Sequence, residues 1–164
     1  MFTRGVLMDF PRLFGVRFLD GTRAIYPEDF EAWQKKTGVT VGSGDAVIIR
    51  TGRWARREAE GEWDVEKGSA GVHVSCMPWF KEKDVALLGN DLAMDVMPSR
   101  VEGIRVPVHL VTLVAMGVPI LDVCDLEPIS EATARRNRWD FLLTMAPLAV
   151  EGGTGTPINA IATL

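Results

Sequence analysis

The feature that most constrains this chain is a series of short apolar runs spaced along its 164 residues. They are Gly5-Val6-Leu7-Met8-Asp9-Phe10, Ala46-Val47-Ile48-Ile49-Arg50-Thr51, Val85-Ala86-Leu87-Leu88-Gly89, Val118-Pro119-Ile120-Leu121 and Phe141 to Val150. A continuous apolar centre without alternation marks a strand covered on both faces. Between these runs lie helical patterns. Pro27-Glu28-Asp29 opens a helix, because Pro suits the first turn and acids suit its positive end. Phe30, Trp33 and Gln34 form its inner stripe and Gly38 stops it. Met77 to Asp84, Val108 to Met116 and Ile129 to Arg136 read as further helices. Strands alternating with helices predict an α/β fold, and the length fits one domain over residues 1–164. Gly52 to Gly71 and Asn90 to Arg105 read as irregular, and loops this long are uncommon unless functional or disordered. The strand from Phe141 is expected to bend at Pro147.

Charge narrows the partners. The formal net charge is -4, and the only basic runs are pairs such as Arg56-Arg57 and Arg135-Arg136. Neutralising nucleic-acid phosphates takes a basic stripe, so that class is excluded. A small anionic molecule needs only one buried arginine. The spacing of Cys76 and Cys124 fits neither a zinc ligand pair nor a disulfide framework, which predicts free thiols in a reducing compartment. The opening MFTRGVLMDF has no signal-peptide pattern. The longest apolar stretch, Val106 to Leu121, is broken by His109, Thr112, Gly117 and two prolines, so no membrane span is expected. A cytoplasmic location follows as the expectation.

Few residues are candidates for chemistry. His109 starts an apolar helix, where a buried imidazole needs a partner for each nitrogen. It is either a core histidine or a metal ligand or general base. Asp122 follows the strand returning from that helix, so the two could form half of a metal site. His73 lies on a loop entering a helix, as an exposed histidine or as a substrate contact or acid/base catalyst. Cys76 falls in that helix's first turn, where a thiol pKa is lowered. Arg50 ends a strand, and ligands of open α/β sheets gather beyond the carboxyl ends of strands. It could grip a substrate carboxylate with its fork of donors, or form a structural salt bridge. Gly152-Gly153-Thr154-Gly155-Thr156 lacks the Gly-Lys-Ser/Thr of a phosphate loop and is followed by Pro157, so it reads as a tight loop lining a pocket. Trp54, Trp63, Trp79 and Phe80 are pocket linings or packing anchors.

Several segments, in order, resemble the cyclase family of metal-dependent hydrolases, the group that includes kynurenine formamidase and isatin hydrolase. They are Thr3 to Asp9, Gly44 to Gly52, Val85 to Asp91, Val108-His109-Leu110, Met116 to Asp122, Ala146-Pro147-Leu148 and Gly152 to Ala162. The resemblance implies a swivelling β/β/α fold and a homo-oligomer. It also implies hydrolysis of a small-molecule amide, formamide or cyclic amide with zinc or manganese. His109 matches the family's later histidine, and Asp122 stands where Glu is usual, one methylene shorter. The family signature His-x-Gly-Thr-His-x-Asp has no counterpart here. The chain therefore reads as the C-terminal portion of the fold, N-terminally truncated by about a hundred residues on ordinary domain sizes. A first strand starting beside residue 1 points the same way. Two side chains fall short of the three or four donors zinc takes. Neither tight metal binding nor turnover by this chain alone is expected, and a non-catalytic domain binding a small molecule or partner is the alternative.

Overall fold

A computed structural model describes residues 1–164. The strands are β1 Phe2–Asp9, β2 Ala24–Ile25, β3 Ala46–Arg50, β4 Gly71–Val72, β5 Leu87–Asn90, β6 Ile120–Leu121, β7 Asp140–Thr144 and β8 Ile161–Thr163. The helices are α1 Phe10–Phe14, α2 Pro27–Thr37, α3 Arg53–Glu60, α4 Met77–Glu82, α5 Pro107–His109 and α6 Glu127–Arg136, and α5 runs on as a π-helical segment, Leu110–Ala115. Six strands form one sheet in the order β6-β5-β3-β1-β7-β8, and β2 pairs with β4 separately. β1, β3, β5 and β6 are mutually parallel, while β7 and β8 add an antiparallel edge.

The apolar runs explain the order. β3 and β5 are buried at every residue, and Val6, Leu7, Met8, Val47, Ile49, Leu87 and Leu88 have no exposed surface. One face of the sheet is closed by aromatic side chains. The Phe30 ring lies 5.1 Å from Phe10, 5.1 Å from Phe80 and 5.0 Å from Trp79. Trp33 Nε1 donates to the Leu7 carbonyl at 2.8 Å, which ties α2 to β1. Each such burial stabilises by about 1.5–3 kcal/mol. On the other face, Ile48, Phe141 and Leu143 border a cavity of about 860 Å³ beneath α6 and the segment 156–164.

Several elements depart from the sequence reading. Gly52 to Gly71 is not irregular throughout, because it contains α3. Its N-cap Gly52 offers no side chain; instead the Asp91 carboxylate, from beyond β5, accepts from the Thr51, Gly52 and Arg53 amides at 2.8–3.1 Å. The strand at Phe141 ends at Thr144 rather than Val150, and beyond it the Met145 amide still donates to the Met1 carbonyl at 3.0 Å. The tail after the Gly-rich loop forms β8, which needs β7 to exist. No helix is long and apolar enough to cross a membrane.

Candidate functional site

The parallel strands end on a common edge, and polar residues stand at each end. Asp9 closes β1, Arg50 closes β3, Asp91 follows β5 and Asp122 follows β6.

His109 and Asp122 meet at this edge: His109 Nε2 lies 3.0 Å from Asp122 Oδ2. The other ring nitrogen, Nδ1, is 2.6 Å from Asp95 Oδ2. Asp95 is 1% exposed and also accepts from the Val108 amide at 2.7 Å and the His109 amide at 3.2 Å. Its carboxylate thereby caps the first turn of α5 while gripping the ring. A neutral imidazole has one N–H and one lone pair. Between two carboxylates, one nitrogen would set its lone pair against an oxygen, so the gap at Nε2 calls for a cation, either a second proton or a metal ion. The hydrogen bonds that the ring donates to Asp122 and then to Asp95 push the His109 pKa up to about 9, against the opposing effect of burial.

The pair fits one edge of a divalent-cation site. An imidazole nitrogen and a carboxylate oxygen face one point, and the far ring nitrogen is held by a buried carboxylate, the usual support of a ligating histidine. It supplies two donors, and no group of three or more His, Cys, Asp or Glu side chains stands where it could hold a metal ion. Asp122 also forms part of the wall of the large cavity, together with Thr156, Pro157 and Asn159 of the Gly-rich tail loop.

The other sequence candidates lie elsewhere. Arg50 is buried, pairs with Asp9 at 2.9 Å, and reaches both Glu127 carboxylate oxygens at 3.1 and 2.7 Å. Burial opposes its charge, but the Glu127 hydrogen bond and the two carboxylates hold its pKa above the ordinary arginine value. Ser130 donates to Asp9, and the Arg12 amide adds a further bond at 3.1 Å, so all five residues lock β1, β3 and α6 together. His73 caps the turn Val74–Cys76, its Nδ1 2.8 Å from Ser75 Oγ and 3.2 Å from the Ser75 amide. Neither His73 nor Arg50 shares a hydrogen bond with His109 or Asp122. The expectation of a lowered thiol pKa at Cys76 is overturned: the residue has no exposed surface, and burial pushes the thiol up to about 12. Trp79 and Phe80 are core packing, and Trp54 is anchored by its Nε1 bond to the Cys124 carbonyl at 2.8 Å. Sequence reasoning missed Asp95 and Asp91. The available signal was position, since both follow a strand's carboxyl end, but neither sits in a spacing that marks a ligand.

An open, mostly parallel α/β sheet with a histidine–carboxylate pair beyond its carboxyl edge defines the class of protein. The chain belongs to the cyclase family, whose Cyclase family model matches residues 1–95. Solved structures extend the likeness over nearly the whole chain. A structure described as a novel cyclase is 29% identical, with a TM-score of 0.85, and the match covers 98% of this chain and 53% of that one. An isatin hydrolase bound to the product analogue thioisatinate is 20% identical, with a TM-score of 0.71, covering 98% and 59%. A potential metal-dependent hydrolase with cyclase activity is 17% identical, with a TM-score of 0.65, covering 98% and 64%. The chain thus spans between half and two thirds of the length of these relatives. No curated protein matches it.

Proposed function

We propose that this chain contributes one edge of the active site of a metal-dependent hydrolase acting on an amide, formamide or cyclic amide. The observation that carries the reading is the His109–Asp122 contact of 3.0 Å, with the ring's other nitrogen held by buried Asp95. In this reading His109 and Asp122 hold a zinc or manganese ion, and Asp95 sits behind His109. A divalent ion held there would supply a Lewis acid able to lower the pKa of a water and polarise the substrate carbonyl. Arg50 acts through the architecture, fixing the strand ends on which the site stands. The substrate class is supported by the family and by the isatin hydrolase and metal-dependent hydrolase neighbours.

Calorimetry with Zn²⁺ and Mn²⁺ on the chain and on His109→Ala and Asp122→Ala tests the reading. Weak binding that depends on both side chains is expected, because two donors make an incomplete set. Binding unchanged by either substitution overturns it. Hydrolysis of formanilide and isatin, with and without chelator, reports whether this edge suffices for turnover; the expected rate is the uncatalysed one.

A second reading, a small-molecule-binding domain without catalysis, is favoured by the cavity. Its volume of about 860 Å³ falls within the range typical of ligand pockets, and most of its lining is apolar. Chelator-insensitive binding of an apolar probe that leaves His109 undisturbed favours this reading over the first.

A further inference from the structure

We propose that Arg53 and Trp63 form a binding site for a single-atom anion of chloride size, between the start of α3 and the stretch that follows it. The site uses neither His109 nor Asp122, and it stands or falls independently of both readings above.

Three buried donors without a partner belong to these two side chains. Arg53 Nε and Nη1 and Trp63 Nε1 are shielded from solvent, and none of them donates a hydrogen bond. Arg53 is alone among the arginines in having neither a hydrogen bond nor an ion pair from its guanidinium. Its neighbours on α3 are matched. Arg56 reaches Glu60 at 2.8 Å and the Gly68 carbonyl at 3.0 Å, and Arg57 reaches Glu62 at 2.7 Å. The contacts that Arg53 does make are aromatic. Its guanidinium lies 4.0 Å from the Trp54 ring centre and 5.8 Å from that of Trp63, with Arg56 4.3 Å from the Trp63 ring centre. A ring face attracts the charge but accepts none of the in-plane N–H bonds. A buried donor without an acceptor forfeits its hydration, so three in one place call for a shared acceptor.

Arg53 and Trp63 border the same cavity of about 10 Å³, the room that one water-sized occupant takes. Its wall is short of acceptors. The Thr51, Gly52 and Leu92 carbonyls already accept from the Leu19, Arg56 and Val123 amides at 2.8–2.9 Å, and the Thr51 hydroxyl donates to Asp91 at 2.7 Å. A water brings two protons that need acceptors of their own, whereas a halide only accepts. The charges agree. The Asp91 carboxylate attracts Arg53 through space, but its oxygens are taken by the Thr51, Gly52 and Arg53 amides and the Thr51 hydroxyl. Burial, then the neighbouring Arg57 charge, hold the Arg53 pKa below the ordinary arginine value despite Asp91. An anion against the guanidinium offsets both effects, and it ties Trp63 to the first residue of α3.

Thermal melting of the full chain in sodium chloride and in sodium gluconate, at matched ionic strength, tests the site in wild type, Arg53→Met and Trp63→Phe. Gluconate is too large for the cavity and controls for screening. Wild type is expected to melt higher in chloride, by about 3–5 °C where chloride stands about tenfold above its dissociation constant. Trp63→Phe keeps a ring but loses one donor, and a smaller rise is expected; Arg53→Met is expected to show none. Equal melting of wild type in the two salts overturns the proposal, as does a chloride rise that survives in Arg53→Met. Crystals grown in sodium bromide give a second readout that needs no variant. An anomalous peak within hydrogen-bonding reach of Arg53 and Trp63 Nε1 is expected, and density there without anomalous signal means water and overturns the site. Should Arg53→Met fail to fold, Trp63→Phe and the bromide map decide.

Discussion

At the residue scale, the imidazole of His109 sets the pH behaviour. Its pKa in the folded chain is about 9, raised by Asp122 and Asp95, against an unfolded value of about 6.5. A group whose folded pKa is raised stabilises the fold fully below the unfolded pKa and loses that contribution as pH rises through the folded one. The stabilisation from His109 is therefore complete below about pH 6.5 and gone above about pH 9. Urea midpoints measured from pH 6 to pH 10 are expected to fall more steeply in wild type than in His109→Gln; parallel curves contradict the assignment. Arg50 makes a second prediction. It balances buried Asp9 and pairs in two-pronged fashion with Glu127. Arg50→Ala leaves the buried Asp9 carboxylate with only the part-exposed Arg12, 3.3 Å away, as ion partner, at a cost of up to about 3–5 kcal/mol, read as a lower urea midpoint at unchanged slope. Of these residues, His109, Asp122 and Arg50 were visible in the sequence because histidine is rare here and strand ends are recognisable. Asp9 and Asp95 were not, since an aspartate says nothing about the donors that will surround it.

At the scale of elements, legibility followed the range of the interactions. α2 is written locally, with Pro27, Glu28 and Asp29 at its start and Gly38 in left-handed conformation at its end. β3 is written by its own apolar run. α3 is not, because its cap comes from Asp91, which also accepts the Thr51 hydroxyl at 2.7 Å. Burial raises the Asp91 pKa, with the Thr51, Arg53 and Gly52 bonds pulling the other way. Asp91→Ala strands several amides at the start of α3, at a cost of about 1–3 kcal/mol for each buried donor left without a partner. Hydrogen exchange is expected to rise first across Arg53–Glu60, with the amides of β1 and β3 staying protected; uniform loss across the sheet would place the role of Asp91 in the core instead. β8 was equally hidden, since Ile161–Thr163 is a strand only by virtue of β7.

At the scale of the whole molecule, the question is what covers the apolar surface that the fold leaves in water. Leu110, Leu113 and Val114, on the π-helical run after α5, are 49%, 48% and 76% exposed, and Val123 beside β6 is 51% exposed. The run looked helical in sequence because its apolar residues recur, and the structure turns much of that recurrence outward. Contiguous apolar patches of this kind mark association surfaces on proteins that are otherwise polar outside. At the far edge of the sheet, all three residues of β8 are exposed, with unpaired backbone on their outer side, the kind of edge that recruits a further strand. Self-association is the expected state, and the two surfaces predict different variants that relieve it. If the helical patch drives it, Leu113→Glu with Val114→Glu shifts the sedimentation coefficient to that of an 18.0 kDa monomer while leaving the circular dichroism spectrum unchanged. If the edge drives it, Ala162→Pro does so and the double glutamate does not, because proline at an edge blocks pairing without adding charge to the helix. The helical patch is expected to dominate, since it offers several large side chains to bury where β8 offers a single exposed isoleucine. A wild-type chain that sediments as a monomer at every concentration would show that both surfaces stay in water.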